Sequence, residues 1–247
     1  MRAEVALLTS CIIPNTKTGP ISNFSKKTRI KQLIENLNYL IKNRIFHEIY
    51  VIDPFVKNKK LSNEFENILL KNGLIESELK FLIFNPTQPT INKIKIKGKG
   101  YSEILMIIEA IKIIKRNKKS LLIHKISGRY KIKNLKKIIK HNLYAFNKDI
   151  DIVIPYCHLL SKCYTIMYSF RTEIDLDLFK KCLNIIDDKK HIYVEHAMYN
   201  YMIKKNIIIS QRMKIFILLS PNMNGGSKQG KYNMFKQLIN KIFYKYL

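Results

Sequence analysis

What most constrains this chain is an alternation. Short apolar runs of strand length recur along it, separated by longer stretches whose apolar residues stand three and four apart. Such an order builds a layered α/β fold, with helices packed on the faces of a sheet. Glu4–Ile13 reads as the first strand and Arg29–Asn43 as the first helix, with Ile30, Leu33, Ile34, Leu37, Leu40 and Ile41 on its apolar stripe. His47–Phe55 is a second strand, and Asp53-Pro54 keeps helix from starting at Asp53. Leu61–Asn72 follows as a helix stopped at Gly73, and Leu79–Asn85 as a strand.

Pro86–Gly100 reads as a loop, Tyr101 to about Arg116 as a helix, and Ser120–Ser127 as the central strand. Ile150–Tyr156 and Lys162–Ile174 read as strands, Leu176–Ile186 and Ile192–Lys205 as helices, and Met213–Ser220 as the last strand. A Gly/Ser/Asn loop over 221–230 leads to a basic amphipathic helix over 231–247. No internal repeat or low-complexity linker divides the chain, so one domain over 1–247 is expected.

The formal net charge of +27 points to a polyanionic partner. The lysines are scattered, though, and Lys, Ile and Asn recur everywhere, as in an AT-rich coding sequence. A nucleic-acid binder would use this charge directly, but helix-turn-helix, RNP-type and zinc patterns are missing, and nucleic acid is not the expected partner. Cys11, Cys157, Cys163 and Cys182 form no CxxC pair and have no histidine at metal-ligand spacing, which suits a reducing compartment. Neither a signal peptide nor a run of about 20 apolar residues is present, so a cytoplasmic protein is expected. The terminal helix, with Lys236, Lys241 and Lys245 beside an apolar stripe, could lie on the inner face of an anionic membrane or pack on the core.

In open α/β sheets, ligands bind outside the carboxyl ends of the strands. Those ends carry Thr9 and Ser10, then Asp53, then Lys125, Ser127, Gly128, Arg129 and Tyr130, and finally Gly225-Gly226-Ser227-Lys228. They are polar, cationic and glycine-containing, which suits a ligand with phosphates and hydroxyls. Lys97–Glu103 places glycines and lysines just before a helix, where free N–H groups attract anions; the alternative is an ordinary turn. The segment matches neither the Walker pattern nor the dinucleotide fingerprint. Arg129 can grip a diphosphate through two nitrogens, or else pair with a carboxylate while Tyr130 joins the core. Glu195 and His196 stand together at a helix start, where a carboxylate can take a proton from an attacking hydroxyl or merely favour the first turn.

The order of "ALLTSCIIP", Arg29-x-x-Gln32, "IYVIDPF", "GKGYSE", "HKISGRY", "FRTEIDLDLF", "YVEHAMYNYM" and "GGSKQGKY" resembles small bacterial GT-A-like glycosyltransferases of lipopolysaccharide and capsule clusters. The resemblance spans nearly the whole chain. It implies a Rossmann-type mixed sheet flanked by helices, and transfer of a sugar, for example galactose from a UDP-sugar, to a lipid-linked or oligosaccharide acceptor. Carried onto this sequence, it puts Thr9 and Asp53 at the nucleotide end, and Lys99, Gly100 and Glu103 beside the donor. Lys125, Ser127 and Arg129 then lie by the diphosphate and sugar, with Lys228 at the leaving phosphates. Glu195 becomes the base, and His196 and Tyr130 meet the acceptor; Glu103, Glu173 and Asp175 compete with Glu195.

One departure stands out. Many such enzymes hold a divalent metal with Asp-x-Asp after the central strand, where this chain reads Ser-Gly-Arg-Tyr. Asp149-Ile150-Asp151 precedes a strand, and Asp175-Leu176-Asp177 looks like a helix start. Cations are therefore expected to replace the metal; no cofactor is expected, with Mn²⁺ the alternative. The same departure leaves room for a non-catalytic protein of this fold.

Overall fold

A computed structural model describes residues 3–12, 25–71, 73, 79–117, 121–146, 150–174, 176–204, 210–213, 215 and 217–219. Its centre is a seven-stranded sheet. β1 (Ala3–Thr9), β2 (Glu48–Ile52), β3 (Leu79–Leu82), β4 (Leu121–Ser127), β5 (Ile152–Ile154), β8 (Met167–Arg171) and β9 (Ser210–Arg212) lie side by side in the order β3-β2-β1-β4-β8-β5-β9. Strand pairs are parallel except where β8 sits between β4 and β5 and runs against both. A two-stranded hairpin of β6 (Tyr156–Cys157) and β7 (Lys162–Cys163) stands outside this sheet. The expected Rossmann-type mixed sheet flanked by helices is what the chain forms.

Alternation along the strands decides which helices cover which face. Val5 and Leu7 of β1 point into one apolar layer with Ile104 and Ile107 of α4 (Lys99–Asn117) and Phe179 of α6 (Leu176–Ile185). Ala6 and Leu8 point into the other, with Leu33 and Leu37 of α1 (Lys26–Lys42), Phe65 of α2 (Lys59–Leu70) and Ile138 of α5 (Leu135–Phe146). With both faces covered, β4 is buried over six of its seven residues, so any polar group on it must be satisfied internally. Side-chain caps fix two helix starts: Ser25 accepts from the Thr28 N–H at 3.2 Å, and Asn58 from the Leu61 N–H at 3.0 Å.

Several expectations are corrected. The stretch read as a loop over 86–100 contains α3 (Gln88–Lys97), because a proline is tolerated in the first turn of a helix. α5 fills a stretch that periodicity left unassigned. The strand expected over Lys162–Ile174 breaks at Tyr164–Ile166 into β7 and β8. The helix expected over Ile192–Lys205 is α7 (Val194–Met198), continued by a π-helical turn over Tyr199–Lys204. The last strand expected over Met213–Ser220 is replaced by β9 just before it. Among the described residues of that segment, Leu219 forms an isolated bridge to Ile132, and the Met213 N–H donates to the Ile154 carbonyl at 3.1 Å. The terminal helix and the 221–230 loop, with Lys228, lie outside the described residues.

Candidate active site at the carboxyl edge of the sheet

The order in which strands are added to the sheet reverses between the parallel neighbours β1 and β4. β2 and β3 extend to one side of β1, and the chain then crosses to β4 on the other. In open α/β sheets this switch point opens a crevice beyond the strand ends. The register puts Thr9, Ile52 and Ser127 level at that edge. The Gly128 N–H donates to the Thr9 carbonyl at 2.8 Å, and Asn36 Nδ2 to the Gly128 carbonyl at 3.0 Å, so the two loops are stitched together and to α1.

Asp53 holds the first residues of the loop after β1. It is 0% exposed. Its carboxylate accepts from the Ile12 N–H at 2.9 Å, the Phe55 N–H at 2.7 Å and the Ser10 hydroxyl. Burial pushes its pKa up against the pull of these hydrogen bonds. The donor contact expected of Asp53 is thus replaced by a loop-holding role.

Three cations stand near Cys11, in the described start of that loop. Arg29, in the first turn of α1, donates to the Cys11 carbonyl. Lys99 opens α4, and Arg129 follows β4 with its guanidinium 4.8 Å from the Tyr130 ring centroid. Burial and then the Arg129 charge pull the Lys99 pKa down. Burial likewise lowers Arg29, as does Arg129, while Cys11 opposes. Burial and Asp53 push the Cys11 thiol up to about 11, while Arg29, Lys99 and Arg129 all draw it back. These cross-influences put the Gly98–Gly100 turn and Arg129 in one electrostatic neighbourhood. Like charges held together are stabilised when an anion enters between them. Arg29 is the member that sequence reasoning missed; its one signal was a lone arginine in the first turn after a polar loop.

The start of α4 departs from expectation in another way. Gly98 has φ +99°, and a Cβ there would overlap the Asp188 carboxylate. That carboxylate accepts from the Lys99 N–H at 2.8 Å and lowers its own raised, burial-driven pKa through Lys99 and Gly100. Asp188 therefore takes the Lys99 and Gly100 N–H groups at this helix start.

Behind the cations runs a chain of polar groups. Lys125 is 0% exposed, and its ammonium donates to the Glu103 carboxylate, to the Thr165 carbonyl at 2.6 Å and to the Ser127 hydroxyl at 3.3 Å. Thr9 Oγ1 donates to the same Glu103 oxygen at 3.4 Å. Thr165 Oγ1 donates to Glu195 Oε1 at 3.2 Å. Burial raises the Glu195 pKa, the Glu103 charge adds to the rise, and Thr165 and Lys125 oppose it. Two carboxylates thus share a site with different partners: Glu103 is ion-paired, while Glu195 is held by a hydroxyl.

The remaining expected residues separate. Tyr130 is 5% exposed and belongs to the apolar layer under α1 and α5, the core position that was the alternative to an acceptor contact. His196 stands by the Tyr193 ring, 5.9 Å between centroids, and burial and the Lys162 charge lower its pKa. Glu173 drops out as a competing base. Because β8 runs antiparallel, it delivers Glu173 to the opposite edge, where the Thr172 N–H donates to the Leu121 carbonyl at 3.0 Å. Asp175 lies outside the described residues. Among the described residues, no group of three or more His, Cys, Asp or Glu side chains could hold a metal ion.

No protein-family model and no curated protein matches the chain. Among solved structures, it is similar to a cytidylyltransferase from Leptospira borgpetersenii at 15% identity, covering 96% of this chain and 84% of that one, with TM-score 0.44. Mouse xyloside xylosyltransferase 1 is similar at 9% identity, over 85% of this chain and 84% of that one, with TM-score 0.45. The 2-C-methyl-D-erythritol 4-phosphate cytidylyltransferase of Francisella tularensis is similar at 13% identity, over 99% and 100% of the two chains, with TM-score 0.42.

Proposed function

We propose that the chain is a nucleotide-sugar-dependent glycosyltransferase that acts with inversion, taking a UDP-sugar as donor and a lipid-linked or oligosaccharide glycan as acceptor. The observation that carries this reading is the gathering of Arg29, Lys99 and Arg129 near Cys11, just after β1. A hydrogen-bonded chain of Thr9, Glu103, Lys125, Thr165 and Glu195 accompanies it at the same end of β1 and β4. In the reaction, an acceptor hydroxyl oxygen bonds to the anomeric carbon as the bond from that carbon to the diphosphate oxygen breaks. The proton of the hydroxyl passes to Glu195, and the electron pair leaves with the nucleotide diphosphate. Charge grows most on the departing diphosphate, and preset cations that face it lower the barrier. Lys125 occupies Glu103, which leaves Glu195 to take the proton. Lys228, expected at the leaving phosphates, belongs to the same proposal.

A thermal-shift screen of nucleotide sugars, with and without Mn²⁺, tests the reading. A donor at 100 times its Kd stabilises the fold by about 2.7 kcal/mol, or roughly 5–10 °C for a chain of this size. The expected result is such a shift with one class of nucleotide diphosphate sugar, without a need for Mn²⁺, and sugar transfer or donor hydrolysis by the same sample. A shift with random oligonucleotides and none with any nucleotide sugar would remove the proposal. Donor binding without transfer or hydrolysis would leave a non-catalytic protein of this fold.

A further inference from the structure

We infer that the β6–β7 hairpin is a docking surface for an anionic lipid bilayer, placed so that a membrane-borne acceptor meets Glu195. The docking stands on the hairpin itself; only its link to an acceptor rests on the glycosyltransferase reading. The hairpin connection, His158-Leu159-Leu160-Ser161, presents two leucines at its tip, 77% and 48% exposed. Turns ordinarily carry Gly, Asn, Asp or Ser, and two adjacent leucines there bring a hydration cost with no folding gain. The other large apolar side chains exposed among the described residues, such as Leu70, Ile96 and Tyr144, stand singly.

The tip is held in place. Cys157 and Cys163 are buried at its base, and the Tyr164 N–H donates to the Pro155 carbonyl at 2.7 Å. His158 Nδ1 and the Tyr199 hydroxyl are 2.8 Å apart, and the Ser161 N–H closes the turn onto the His158 carbonyl at 3.0 Å. The leucines are exposed on a braced hairpin.

What covers them is indicated by charge. Lys162 follows the tip, its ammonium 5.5 Å from the Tyr164 ring centroid, and the Arg212 guanidinium lies 6.0 Å from the Tyr156 centroid. Apolar side chains at a tip, with tyrosines and cations behind them, match the layers of an anionic interface: acyl boundary, headgroup, phosphate. The net charge of +27 gives the whole molecule the same sign. From Cys163 the chain runs two residues to Thr165, whose hydroxyl holds Glu195. A seated tip therefore brings the proposed base close to the lipid surface.

Sedimentation with sucrose-loaded vesicles tests this on the full chain. Wild type is expected to partition onto phosphatidylglycerol/phosphatidylcholine vesicles and not onto phosphatidylcholine alone. Leu159→Ser/Leu160→Ser should lower the partition coefficient about tenfold, with melting temperature and UDP binding unchanged. Lys162→Glu should weaken binding and its salt dependence. Vesicle binding equal in wild type and the double leucine variant overturns the inference, as does wild type that ignores anionic vesicles. Light scattering that shows a dimer broken by the leucine changes would assign the surface to a second copy and overturn it too. UDP binding is read separately: its loss with vesicle binding intact would sink the glycosyltransferase reading and leave the docking standing.

Discussion

Lys125 is the residue around which the polar chain is ordered. It is a fully buried ammonium whose charge is answered by Glu103. Removing one partner of a buried pair leaves the other uncompensated, at about 3–5 kcal/mol. Glu103 is a quarter exposed, so water can reach the pair, and Glu103→Gln should cost less, about 2–3 kcal/mol by denaturant melts. Glu195→Gln should behave in the opposite way, abolishing turnover without destabilising the fold. Its raised pKa means the folded state holds the proton more tightly than the unfolded chain. That stabilisation is complete below the ordinary carboxylate pKa and is lost as pH rises through the raised value. At neutral pH the Gln variant should therefore melt no lower than wild type, whereas a clear drop would mean that ionised Glu195 is structural. The acid limb of the kcat profile should likewise fall at higher pH than for an ordinary glutamate, because the base must be ionised. Arg129→Ala should lose about 100–1,000-fold in kcat/KM, the scale for deleting one charge-stabilising donor, while Lys136→Ala on the exposed face of α5 should change it less than about twofold. The strand-end and helix-start positions of Arg129, Lys99, Lys125 and Glu195 were legible because such positions can be read from one segment. Arg29, Asp188 and the burial of Asp53 were not, since each depends on segments that meet only in the fold.

Among the elements, the α3–α4 junction is where local sequence and tertiary contact are most tightly joined. Gly98 needs a backbone conformation that glycine favours, and also the space that the Asp188 carboxylate occupies. Gly73 has a similar φ, +74°, but open space around it. Gly98→Ala should therefore cost about 2–3 kcal/mol and weaken nucleotide binding by moving Lys99, whereas Gly73→Ala should cost about 1 kcal/mol. Equal costs at the two sites would contradict the packing account of the junction. The same junction shows why element reading failed over 86–100. Two prolines and two glycines in that stretch signal a loop, but Pro89 sits in the first turn and Gly98 at the end, the two places a helix accepts them. β9 was missed for a different reason. Met213–Ser220 is the more apolar run, yet pairing with β5 falls on Ser210–Arg212, because an edge position is settled by the partner strand and not by hydropathy.

For the molecule as a whole, the layered sheet was readable because both faces of a mostly parallel sheet must be apolar, which makes its strands stand out as continuous runs. The reversed direction of β8 was not readable, and it matters, since it sends Glu173 to the far edge and leaves Thr165 at the site. No helix among the described residues is long and apolar enough to cross a membrane. The positive charge is scattered in sequence, and the fold brings three of its members near Cys11.

Calorimetric titration of UDP, with uridine as the phosphate-free control, into wild type and Lys99→Ala/Arg129→Ala tests that gathering most directly. Hydrogen bonds to charged groups contribute about 1.5–3 kcal/mol each, so the double variant should bind UDP at least about 100-fold more weakly. Uridine, lacking the diphosphate, should bind both proteins alike. Equal UDP affinity in the two proteins would show that these cations do not hold a diphosphate, and would contradict the account.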